Sequence, residues 1–139
     1  MNVVFLGGGS RRLLPLIRGI FSAVPAAFQN GEIRLVDRAL DRAEAVGKLI
    51  LACPEYMKVG CRVVWTDDLD SVLPGTDVVY LTMAAKREPS ESESWFLGNR
   101  YGFVAGDNLS VAGAFLSLRL GRTILNIARK MEQIGRAHV

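Results

Sequence analysis

The segment Asn2-Val-Val-Phe-Leu6 runs straight into Gly7-Gly8-Gly9-Ser10. A short, nearly continuous apolar run reads as a strand covered on both faces, as in a parallel sheet. The glycines end it, and a helical segment is predicted from Pro15 to about Ser22. Proline suits a first helical position, where its missing N–H costs nothing. A buried strand, a glycine turn and a helix in that order constrain the chain to an α/β sheet.

The alternation continues. Glu32–Val36 reads as a second strand ended by Asp37, followed by a helix over Leu40–Ala52 with Ala43, Val46, Leu49 and Ile50 on one side. Cys61–Trp65 reads as a third strand. Thr66, Asp67 and Asp68 then offer cap side chains to a short helical turn through Val72. Pro74-Gly75 marks a turn before a fourth strand, Asp77–Thr82. Beyond a polar loop, Ala84–Pro89, the pair Ser90 and Glu93 forms a capping-box pattern ahead of a helix to about Arg100. Gly102–Gly113 reads as irregular. Leu116, Leu120, Ile124, Ile127 and Met131 then step along one face of a long helix, with Arg119, Arg122, Asn126 and Arg129 off it. Strands alternating with helices predict a Rossmann-like, doubly wound parallel sheet. About four strands are present where a full dinucleotide-binding sheet has about six, so the sheet is expected to be incomplete.

Composition narrows the function classes. With 139 residues, 50% hydrophobic and 22% charged, the chain has the makeup of one folded domain and not of a disordered tail. No apolar run approaches the roughly 18 residues of a membrane span. Leu6 meets Gly7 too early for a signal peptide. The net charge of +3 comes from scattered Lys and Arg, so neither nucleic acid nor membrane is expected as a partner. Cys53 and Cys61 lack disulfide or metal-ligand spacing and read as small buried hydrophobes in a reducing cytoplasm. The one histidine, His138, offers no partner for a thiol nucleophile. Trp65, Trp95 and Phe96 read as core or interface anchors. Asp67, Asp68 and Asp70 read as helix-start residues before they read as a metal cluster.

Three places carry candidate chemistry. Gly7 and Gly9 occupy the first two glycine positions of the dinucleotide fingerprint, while Arg12 stands at the third. Such a turn can be only a tight turn, but between a buried strand and a helix it points to a phosphate cradle. Arg11 and Arg12 either reach those phosphates or stay solvated. Asp37, at the end of the second strand, stands where an acidic residue takes the adenosine ribose diol. It lies further from Gly7 than the usual spacing of about 20 residues. A carboxylate there favours NAD over NADP, and Arg38 beside it counts against that preference. Although a solvated strand-end carboxylate is the alternative, the glycine turn favours the binding reading. The fourth strand ends in Thr82-Met83-Ala84-Ala85, small enough to let a cofactor pass, although ordinary loop residues would look the same. The predicted cofactor-binding set is Gly7, Gly8, Gly9, Ser10, Arg11, Asp37, Met83 and Ala84.

Gly7-Gly-Gly-Ser10, Pro15, Leu35-Val-Asp37, Tyr101-Gly102 and Ile127-Ala-Arg-Lys-Met-Glu132 together resemble the amino-terminal part of glycoside hydrolase family 4, across almost the whole chain. The resemblance implies NAD and a divalent metal, usually manganese. It also implies hydrolysis of O-glycosidic bonds by oxidation at sugar C3, loss of the C2 proton, elimination, addition of water and reduction. It implies a cytoplasmic, homo-oligomeric full-length parent acting on a small-molecule glycoside. The family's metal-binding Cys and His and its base have no counterpart here. No catalytic or metal residue is therefore carried over, manganese is expected only in the parent, and this chain alone is expected to be inactive. Ala84, Lys86 and Arg87 replace the family's Arg and Gly-Gly pair, and Gly106-Asp-Asn-Leu109 replaces its Gly-Gln-Glu-Thr stretch. Specificity for a phosphorylated sugar is therefore not carried over either. Two other readings use the same fold: a dehydrogenase of the lactate and malate type, and a non-catalytic nucleotide-binding module. Residues 1–133 are expected to form the truncated NAD-binding domain. Ile134-Gly-Arg-Ala-His-Val139 resembles a translated sequencing adapter and is expected to be a non-native tail.

Overall fold

A computed structural model describes residues 1–83, 95–103 and 111–134 of the chain. The elements are β1 (Asn2–Leu6), α1 (Leu13–Ala23), α2 (Pro25–Phe28), β2 (Glu32–Val36), α3 (Leu40–Leu51), a 3-10 turn (Tyr56–Lys58), β3 (Arg62–Thr66), α4 (Leu69–Val72), β4 (Val78–Leu81), helical residues 95–100 (α5) and α6 (Val111–Ile134). All strand pairs are parallel, in the order β3-β2-β1-β4. This is the predicted doubly wound α/β sheet, with β1 central and the crossover direction reversing beside it. The chain divides into two compact units, Met1–Met83 with the residues from Met131 onward, and Ala84–Lys130.

In the first unit, Val3 and Phe5 of β1 align in register with Ile33 and Leu35 of β2 on one face. Leu13, Ile17 and Phe21 of α1 and Ala43, Val46 and Ile50 of α3 complete the buried cluster with them. The helical spacings of three and four put each set on one stripe. Burying each of the larger side chains contributes about 1.5–3 kcal/mol. Two helical details differ from expectation. Helix α1 begins at Leu13, so Pro15 is its third residue, and it still costs no hydrogen bond because the first four N–H groups of a helix lack intrahelical partners. Leu49 is 53% exposed, because the buried stripe of α3 runs through Ala43, Val46, Gly47 and Ile50. Gly47 is needed there: a Cβ would lie 2.5 Å from the Trp65 ring, which packs against the helix. Helix α2, within the Val24–Gly31 connection, carried no helical periodicity long enough to read.

The opposite sheet face carries an ionic network. Glu32 is buried and accepts from Arg34 Nε at 2.8 Å and Arg62 Nε at 2.6 Å. Arg34 also reaches the carbonyls of Val72 and Pro74 and the Thr76 hydroxyl, tying β2 to the α4–β4 connection. Asp68 caps α4, accepting from the N–H groups of Asp70 and Ser71. Cys53 and Cys61 are free and buried, and burial pushes the Cys61 thiol up, away from nucleophilic use.

In the second unit, Trp95 and Phe96 are 41% and 68% exposed, so among the described residues they do not form core. Helix α6 starts at Val111, which makes 111–113 helical and not irregular. Its Ile127 is buried, while Arg122, Asn126 and Arg129 are exposed and Ile124 is 38% exposed. The capping box at Ser90 and Glu93, the divergent stretches at 84–87 and 106–109, and the tail from 135 lie outside the described residues. Among the described residues no helix is long and apolar enough to cross a membrane.

Candidate functional site

The carboxyl ends of β1, β2 and β4 meet at the glycine turn. Gly7 has φ +88°, which favours glycine, and its N–H and that of Gly8 both donate to the Val36 carbonyl at 2.9 Å. Ser10 N–H donates to the Gly7 carbonyl at 2.9 Å, and Leu13 N–H to the Ser10 carbonyl at 3.0 Å. Each glycine approaches a different part of the protein. A Cβ on Gly7 would lie 2.7 Å from Thr82 Oγ1, one on Gly8 2.8 Å from Val36 N, and one on Gly9 2.6 Å from Arg42 Cβ. The turn is therefore wedged against β4, β2 and α3 together.

Asp37 fastens it. Its Oδ2 accepts from Gly9 N–H at 2.8 Å and its Oδ1 from Ala39 N–H at 3.0 Å, the second bond closing an Asx turn that leads into α3. Two of the carboxylate's roughly four acceptor directions are thus in use, and one on each oxygen remains. From the other side, the Thr82 hydroxyl lies 2.8 Å from the Leu6 carbonyl and 3.0 Å from the Gly7 carbonyl and can donate to either. Thr82 N–H also donates to the Leu6 carbonyl at 2.7 Å, extending the β1–β4 ladder past the strand end.

The anchoring leaves the start of α1 open. No side chain caps it, and no acidic residue stands in its first turn. An uncapped helix amino terminus beside a fixed turn is a favourable place for an anion. Arg11, Arg12, Arg38 and Arg42 are all exposed around this end of the sheet.

Of the predicted set, the structure brings together Gly7, Gly8, Gly9, Ser10, Arg11, Asp37 and Met83, while Ala84 lies outside the described residues. Thr82 and Arg42 were missed as members. A threonine at the carboxyl end of the fourth predicted strand was the available signal for the first. The second follows from the helical position that packs on Gly9 and left no mark in the sequence. Among the described residues, no group of three or more His, Cys, Asp or Glu could hold a metal ion.

The family model described as "Family 4 glycosyl hydrolase" matches residues 2–136. No curated protein matches the chain. Among solved structures, a 6-phospho-alpha-glucosidase from gut microorganisms, in complex with NAD and Mn2+, superimposes with TM-score 0.72 at 17% identity, over 96% of this chain and 30% of that one. The 6-phospho-beta glucosidase of Thermotoga maritima, with NAD and glucose-6-phosphate, gives TM-score 0.78 at 15% identity, over 96% of this chain and 31% of that one. The chain therefore spans about a third of the length of the structures it matches. At these identities the structures establish the shared fold. The family model, running from the first residue of β1 past the end of α6, establishes the lineage: the chain belongs to the family 4 glycosyl hydrolases.

Proposed function

We propose that this chain is the dinucleotide-binding part of a glycosidase, and that NAD binds at the carboxyl ends of β1, β2 and β4. The observation that carries the reading is the Gly7–Gly9 turn, held by Asp37 and Val36 beside the uncapped start of α1 in a family 4 chain. When bound, NAD supplies the oxidation at sugar C3 and the closing reduction that bracket loss of the C2 proton, elimination and hydration. The residues here bind and orient. The α1 amino terminus faces the pyrophosphate, with Arg11 and Arg12 adding positive charge. The free acceptor directions of Asp37 face the ribose hydroxyls, and Met83 borders the passage past β4. No catalytic residue is assigned to this chain. The described residues do not fit a metal, so no step is routed through one. The substrate of the whole enzyme is read as an O-glycoside, and the free buried thiols support a reducing, cytoplasmic setting.

Calorimetric titration of the 139-residue chain with NAD tests this directly. Saturable binding at one site is expected, weakened in Gly9→Ala, where the added Cβ would press on Arg42 and Asp37. A folded chain that binds no NAD would falsify the reading.

A further inference from the structure

We propose that the adenosine end of this site admits a 2′-phosphorylated dinucleotide as well as the unphosphorylated one, with Arg38 and Arg42 as the residues that hold the 2′-phosphate. The proposal rests on the dinucleotide-binding reading above and deepens it.

An acidic residue at the end of β2 excludes a 2′-phosphate when its charge is free to face the ribose, and an arginine nearby admits one. Both conditions are altered here. Each oxygen of the Asp37 carboxylate already accepts one backbone N–H, from Gly9 at 2.8 Å and from Ala39 at 3.0 Å. Two N–H donors offset part of its field, so it repels an incoming phosphate less than a free carboxylate would.

Two exposed cations stand beside Asp37 in the chain and against the turn it fastens. Arg38 directly follows Asp37 and is exposed. Arg42, in the first turn of α3, is exposed and sets its Cβ against the Gly9 position, which puts an arginine at the rim of the turn. Among the described residues neither takes part in an ion pair, whereas Arg18, Arg34 and Arg62 each do. Arg11 and Arg12 are exposed on the next segment of the same rim. Four arginines face two aspartates, Asp37 and Asp41, across this stretch. A guanidinium fork matches a phosphate in bidentate geometry, so two of them supply the charge-assisted bonds that a 2′-phosphate needs.

The test is competitive calorimetry of the 139-residue chain with NAD and NADP, repeated on the Arg38→Ala/Arg42→Ala double variant. In the wild-type chain NADP is expected to bind within about tenfold of NAD, since charge-assisted bonds of this class are worth a factor of about ten or more each. In the double variant the ratio of affinities should move toward NAD by about tenfold or more. NADP binding more than tenfold weaker than NAD in the wild-type chain overturns the proposal and leaves the dinucleotide reading standing. An unchanged ratio in the double variant overturns it too, because the arginines then act on both ligands alike. If neither dinucleotide binds, this proposal and the reading beneath it fall together. The wild-type ratio decides without any variant, so a variant that fails to fold does not shield the idea.

Discussion

The two ends of β2 each carry a carboxylate, and the two do opposite work. Glu32, at the amino end, is buried and answered by two side-chain guanidinium groups. Asp37, just past the carboxyl end, is half-buried and answered by two backbone N–H groups. The first joins strands into a sheet, with Arg34 continuing the tie to the α4–β4 connection. The second shapes a loop. A parallel strand places its amino end away from the ligand crevice and its carboxyl end within it. The same chemical group is therefore a brace between strands at one end and the fastener of the glycine turn, where we propose the dinucleotide binds, at the other.

Replacing each carboxylate should separate the two roles. Glu32→Ala is expected to have the largest effect on stability, about 3 kcal/mol, because it leaves the nearly buried Arg34 guanidinium without a counter-charge. Urea denaturation measures this, and a loss under about 1 kcal/mol would mean that the network is only a surface pair. Asp37→Ala should cost less, about 1–2 kcal/mol by the same measurement, but should weaken NAD binding by about tenfold or more. Equal effects of the two substitutions on NAD affinity would erase the distinction between the ends.

Acid sharpens the comparison further. Burial by itself raises the Glu32 carboxyl, but the hydrogen bonds from Arg34 and Arg62 outweigh it and hold the group below its ordinary 4.5. The unfolded chain then takes up the proton before the folded one. The stabilisation is full above pH 4.5 and is lost as pH falls through the lower folded value. The denaturation midpoint of the wild-type chain should fall more steeply below pH 4.5 than that of Glu32→Gln, and parallel curves would contradict the network's role. Arg62→Ala should show the smallest effect, below about 1 kcal/mol, because that side chain is 74% exposed and water screens its bond to Glu32.

The contrast also shows what a sequence discloses. The succession of strands and helices was legible because each strand is short, ends in a turn residue and is followed by a helix. That Asp37 stands against the glycine turn was legible because the end of the second strand lies beside the first turn in such a sheet. Glu32 was not, although Glu32 and Arg34 alternate with Ile33 and Leu35 and so had to share one face. The strand was read without assigning its alternate charged residues a face, and Arg62 joins only through the β2–β3 register. Leu49 was misplaced for a related reason: the buried stripe includes Gly47, which apolar counting passes over. Helix α2 is a single turn, too short to leave a period. The whole of Arg42's place beside Gly9 is a tertiary fact, set by how α3 lies on the turn.

The glycine turn has a thermodynamic consequence. Its N–H groups at Gly7, Gly8, Gly9 and Ser10 are already bonded within the protein, so its shape is fixed before any ligand arrives. Ordering a residue's backbone costs about 1–2 kcal/mol, and here that cost is met during folding and not during association. A preorganised cradle keeps more of each new contact as affinity. Loosening it by removing Asp37 should therefore appear in calorimetry as a more unfavourable entropy of binding, added to the enthalpy lost with that carboxylate's own bonds to the ligand.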